Sequence, residues 1–205
     1  MAYSGTKQSI FDVCVRLFSE KSYDAVSMNE IGAAVGVTDS AIYNHFKSKE
    51  AILNAILSTF KRKLRGYILK KGQVDRYIET DTPRQLLERC VGRFVEDDME
   101  FMAHAYRIVL RENLVNQMAS ELIITLLHEE TAKSIQYVLD SLIRRGSIPT
   151  MDTWSFALLW TQSMFSAAVV WISRLFNGEV LKKSEVEYNV VSDRLIEMAL
   201  SGKVQ

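Results

Sequence analysis

Between Val37 and Phe46 the chain reads VTDSAIYNHF, a short stretch crowded with side chains that donate and accept hydrogen bonds. At about 3.6 residues per turn, a helix here puts Ile42 and Phe46 on one side and Asp39, Ser40, Tyr43 and Asn44 on the other. Side chains of this kind suit base edges in a major groove: Asn pairs with adenine, Asp accepts from cytosine N4, and Ser serves either. Thr38, at the head of the segment, brings a hydroxyl and the first helical amides to a phosphate. His45 lies at the boundary between the two sides. Lys49 opens the next helix and suits a phosphate as a point charge. An ordinary solvated helix also has a polar face, so the distinction rests on the elements around this one.

Those elements are strongly punctuated. Ser27 to Glu30 reads SMNE, a capping box that starts a helix carrying Ile31 and Val35. That helix stops at Gly36, which supplies the positive φ that a tight turn needs. Thr38 is the next N-cap and Ser48 a third. Gly32 lets the two short helices approach closely, and Ile42 plugs their interface. Two short helices joined at a glycine turn make a helix-turn-helix candidate.

Before this unit, Ile10, Cys14, Leu17 and Phe18 mark one face of a first helix. After it, Leu53, Leu57, Phe60, Leu64, Tyr67 and Ile68 predict a long helix from Ser48 to about Lys70. KKGQVDRYIETDT loses the period and reads as a connection. Thr82 caps a helix with Pro83 at its first position, and Leu86, Leu87, Cys90, Phe94 and Val95 form its apolar face. Further helical runs cover Asp98 to Glu112 and Gln117 to Arg145, the latter closed by RRGSIP. Asp152 opens an apolar helix to Phe176, and a last helix covers about Ser184 to Leu200. No segment alternates like a strand. The fold class expected is all-α with about nine helices.

Charge supports a division of labour. Up to Lys71 eleven Lys and Arg stand against six Asp and Glu; from Gly72 onward fourteen stand against nineteen. A basic first part and an acidic remainder fit a protein that meets a polyanion at one end. The cluster Lys61, Arg62, Lys63, Arg65, Lys70 and Lys71 would also serve as a plain solvated face.

The segment SMNEIGAAVGVTDSAIYNHFKSKEAIL resembles the DNA-binding segment of the TetR family of bacterial transcriptional regulators. The turn Gly36-Val37-Thr38, Tyr43, the pair His45-Phe46 and the run Lys47-Ser48-Lys49-Glu50 sit where that family's pattern has them, and FSEKSYDAVSM upstream fits with Phe18 and Tyr23. The likeness covers residues 7 to 57. It implies a helix-turn-helix domain over 1–47, a connecting helix over 48–71 and a ligand-binding and dimerisation domain over 72–205. It further implies phosphate contacts from Tyr43, His45 and Lys49 with Ser27 or Thr38, and base contacts from Asp39, Ser40 and Asn44. A homodimer through the helices at about 152–176 and 184–200 would bind a palindromic double-stranded DNA operator. Position 40 is often glycine in the family and is serine here, and Asp39 is unusual beside a phosphate backbone.

Other chemistry finds little footing. HEETA, starting at His128, lacks the second His of a zinc-protease helix, and EDDME, starting at Glu96, lacks the paired Glu-x-x-His motifs of a di-iron bundle. Cys14 and Cys90 have no metal-ligand spacing and read as free thiols in a reduced compartment. No metal, no cofactor and no enzymatic activity are expected. After Met1 no apolar signal-peptide core appears, so the expected location is cytoplasmic. Thr153 to Ser173 is uncharged and long enough to span a bilayer, but Thr161, Gln162, Ser163 and Ser166 in its middle favour a core and dimer helix instead.

A ligand pocket between the C-terminal helices would draw on Phe94, Phe101, Met102, Tyr106, Trp160 and Met164, each of which packs equally well as core. Such a lining suits a small apolar or amphipathic effector. The expected function is a DNA-binding transcriptional repressor released by that effector. The alternatives are the same fold working without a small ligand, and an all-α enzyme.

Overall fold

The computed structural model describes residues 5–91, 96–178 and 181–202, and every regular element among them is helical. The order is α1 (Thr6–Lys21), α2 (Met28–Val35), α3 (Asp39–Tyr43), α4 (Lys49–Tyr67), α5 (Lys71–Tyr77), α6 (Pro83–Glu88), α7 (Glu96–Glu112), α8 (Gln117–Glu121), α9 (Thr131–Arg144), α10 (Thr153–Phe176) and α11 (Leu181–Ser201).

The predicted caps form. Ser27, Thr38, Ser48, Thr82 and Asp152 each accept from the backbone N–H three residues on. At Thr82 the box is reciprocal, since Gln85 Oε1 accepts from the Thr82 amide at 2.9 Å. Each such cap satisfies an N–H that the helix leaves open.

Two expectations change. The stretch read as a connection contains α5. Its first turn is closed by Gln73, whose Oε1 accepts from the Lys70 amide at 2.9 Å, and Val74 is fully buried. A single buried residue in seven leaves no period to detect. The run expected as one helix over 117–145 is helical, but Leu122–Glu130 is π-helical. Thr131 Oγ1 there donates to the Leu126 carbonyl, five residues back, at 2.9 Å.

The chain packs as two compact units, residues 1–63 with 94–123, and residues 64–93 with 124–205. Within the first unit α7 packs on α1: Phe101 stacks on Phe11 with centroids 6.0 Å apart, and Arg111 Nη1 donates to the Ser19 carbonyl at 2.6 Å. In the first unit Ile10, Cys14, Ile31, Ile42, Ile52, Ile56, Leu57 and Phe60 are wholly buried. In the second, Val74, Leu86, Leu87, Val138, Leu139, Phe156, Trp160 and Ala199 belong to one core.

Helix α10 is long and apolar enough to cross a membrane by length and composition, yet Phe156, Ala157, Trp160, Thr161 and Ile172 are buried in the protein. Burial pushes the thiols of Cys14 and Cys90 up to about 12, so neither presents a thiolate at neutral pH.

Candidate nucleic-acid interface

Helix α2 ends at Gly36 in the left-handed region, with φ 80° and ψ 32°. The amides of Gly36 and Val37 both donate to the Gly32 carbonyl at 2.9 Å, which turns the chain within two residues. Thr38 then caps α3, its Oγ1 accepting from the Ala41 amide at 3.3 Å. Only five residues make up α3, too few to hold a helix alone in water. It is held from the inside. Ile42 is fully buried and Phe46 is 5% exposed, with the Lys7 ammonium 5.1 Å from the Phe46 ring centre. A Cβ placed on Gly32 would stand 2.8 Å from the Val37 carbonyl and 3.6 Å from Ile42 Cδ1. Glycine is therefore what allows α2 and this turn to lie so close.

The opposite side of α3 is open. Ser40, Tyr43, Asn44 and His45 are exposed, as are Thr38 and Ser27 at the heads of α3 and α2. Tyr43 leaves half its surface to solvent. These six of the eight residues expected to meet DNA thus keep accessible side chains.

The other two turn inward. Asp39 is only partly exposed, and its Oδ1 would lie 3.1 Å from a Cβ on Gly32. The orientation of the Asn29 amide that satisfies its neighbours has the nitrogen donating to Asp39 Oδ1 at 3.0 Å and also to Oδ2. The carboxylate expected to reach a cytosine faces α2 instead. Lys49, expected on a phosphate, donates to the carbonyls of Tyr23 at 3.0 Å and Val26 at 2.9 Å and lies 4.2 Å from the Tyr23 ring centre. Two of its three N–H donors are thereby used inside the domain. Asn29 is the residue that sequence reasoning missed: its partner is ten positions away, beyond any helical period.

Glu30 completes the α2 cap differently from the simple box. Its Oε1 takes a 2.5 Å bond from Lys21 Nζ. That bond, with smaller help from the Ser27 amide, holds the Glu30 carboxyl below the usual range. The basic cluster at the end of α4 is also partly engaged. Arg65 pairs with Glu130 at 2.7 Å, Lys63 lies over the Phe101 ring and Lys71 over the Tyr137 ring.

The expected ligand residues divide between the units. Phe101 stacks on Phe11, Met102 is buried, and Tyr106 meets Phe60 edge-on at 5.9 Å, all in the first unit. Trp160 lies edge-on to Phe156 at 6.1 Å, and Met164 packs against the core of the second unit. Phe94 lies outside the described residues.

A capped helix, a glycine turn and a second capped helix with an open polar face define a helix-turn-helix module. Residues 10–56 match the model for bacterial regulatory proteins of the tetR family. It is 32% identical over 111 residues to the HTH-type transcriptional regulator YerO of Bacillus subtilis, an alignment covering 53% of this chain and 36% of YerO. It is 33% identical over 63 residues to the HTH-type transcriptional repressor KstR2 of Rhodococcus jostii, covering 31% of each protein. The chain thus spans about a third of the length of these curated relatives. A TetR-like transcriptional regulator from Rhodococcus sp. RHA1 shares the fold with a TM-score of 0.66 at 16% identity, over 97% of this chain and 96% of that one.

Proposed function

We propose that this chain is a sequence-specific DNA-binding transcriptional regulator, a repressor that acts as a homodimer in the cytoplasm. The observation that carries this reading is the open face of α3, where Ser40, Tyr43, Asn44 and His45 project together from a helix anchored by Ile42 and the Gly36 turn. Ser40 and Asn44 read base edges, while Tyr43, His45, Thr38 and Ser27 meet phosphates. KstR2, named a repressor, supports the direction of control.

The dimer forms through α10 and α11, which leave Leu159, Val170 and Val190 exposed by 41 to 61%. Two copies of α3 then enter successive major grooves roughly 34–36 Å apart. A small amphipathic effector releases the DNA by binding one conformation of the dimer better than the other. Trp160 supports such a ligand, because its buried indole N–H has no acceptor among the described residues. A buried donor of this kind calls for an oxygen from elsewhere.

Selection of bound duplexes from a random DNA pool with the purified protein tests the reading. A two-fold-symmetric site is expected. Recovery of an unenriched pool would overturn it.

A further inference from the structure

The residue on α3 that fits a negatively charged backbone least is Asp39, and the fold shows what occupies it. Its carboxylate receives the Asn29 amide nitrogen from α2. It also borders the space that Gly32 leaves empty. The contact joins the start of α3 to the first turn of α2. We infer that Asn29 and Asp39 form a positioning pair that fixes the rotation of α3, so that Ser40 and Asn44 meet base edges in register without Asp39 itself reading a base.

Three features lead to this assignment. First, a five-residue helix has little of its own to define its orientation: within it only Ile42 is buried, with Phe46 just beyond its end. A polar contact at its first residue adds a constraint at the other end. Second, hydrogen bonds to a carboxylate are directional and stronger than those between neutral groups. Third, a carboxylate that already accepts from Asn29 has less to gain from a cytosine amine. The pair therefore settles how an acid can stand in the first turn of a DNA-reading helix, where it also complements the helix dipole.

This inference rests on the DNA-binding reading, and the experiment separates the two. Asn29→Ala, Asp39→Ala, their double variant and Asp39→Asn are compared with the parent protein in three measurements: affinity for the selected operator, affinity for unrelated duplex, and thermal unfolding without DNA. Either alanine variant should weaken operator binding about tenfold, the worth of one charge-assisted hydrogen bond. Binding to unrelated duplex should hold within about twofold, since a folded domain keeps its phosphate contacts. The double variant should lose no more than either single one, because the two residues act as a unit. Asp39→Asn should recover most of the loss, since its amide oxygen still accepts from Asn29.

The base preferred at each operator position should stay the same in all four variants, with discrimination blunted at several positions together. A changed preference at one base pair in Asp39→Ala, absent from Asn29→Ala, would make Asp39 a direct reader and overturn the pair. So would additive losses in the double variant. A parent protein that selects no sequence would sink the DNA-binding reading and the positioning role with it. The unfolding cycle would then still report whether Asn29 and Asp39 are coupled, and an absence of coupling would refute the contact itself.

Discussion

Lys49 stands 4.2 Å from the ring centre of Tyr23 and donates to that same residue's carbonyl oxygen at 3.0 Å. With its second bond, to the Val26 carbonyl, it ties the start of α4 to the loop between α1 and α2. That loop needs tying. Ser22 within it holds φ 87° and ψ 158°, a conformation that costs a residue with a side chain about 1–3 kcal/mol. Lys49→Ala should therefore lower the stability of the first unit by about 1–3 kcal/mol, measured by urea or thermal denaturation. The salt dependence of binding to unrelated duplex should move by less than one phosphate contact. Unchanged stability with a slope reduced by about one contact would restore Lys49 to the phosphate role.

Gly32→Ala places a methyl group 2.8 Å from the Val37 carbonyl, a backbone atom that cannot swing aside. The turn must open or α2 must shift, at a cost of about 1–3 kcal/mol. The melting temperature should fall, and operator affinity should fall further than stability alone explains. A variant as stable as the parent would show that the two helices are less closely joined than the structure has them.

Tyr43→Ala and Asn44→Ala should separate positioning on phosphate from reading of bases. Loss of Tyr43 weakens binding to all duplexes alike. Loss of Asn44 costs about 1–3 kcal/mol of discrimination at one base pair. Binding to a library of single-base operator variants checks both, and a uniform loss in Asn44→Ala would remove it from the reading face.

How much of this was visible in the chain depends on distance along it. Ser27, Thr38, Ser48 and Gly36 act on backbone groups within four residues, so composition and spacing suffice to find them. Ile42 and Phe46 obey the helical period and were legible as the inner face. Asp39 and Lys49 were not, because their partners lie ten and more than twenty positions away. A polar side chain looks the same in sequence whether it faces a groove or a neighbouring helix. The packing of α7 on α1 was hidden for the same reason, since contacts such as Ser19 with His104 span most of a hundred residues. Helix α5 escaped because Val74 alone marks its inner side.

Ser19 Oγ lies 2.5 Å from His104 Nδ1 where α1 meets α7. Burial holds the His104 pKa below its ordinary value of 6.5, with Arg16 and Arg107 pushing the same way and Glu100 and Glu20 opposing. The unfolded chain thus takes up this proton at a higher pH than the folded one. Stability from this group is complete above about pH 6.5, falls as the pH drops from there towards the folded value, and then levels off. Melting curves of the parent and His104→Gln from about pH 8 down to about pH 5 should diverge in that window. Parallel curves would mean that His104 titrates as it does in the unfolded chain.

The brevity of α3 has a consequence for descent. The side chains of Ser40, Tyr43 and Asn44 are exposed, so a duplicated gene can exchange them one at a time and test new operators at little risk to the fold. Asn29 and Asp39 do not share that freedom. A change at either that breaks the hydrogen bond strands the other, so among descendants of this protein changes at the two positions should keep that bond, as Asp39→Asn does.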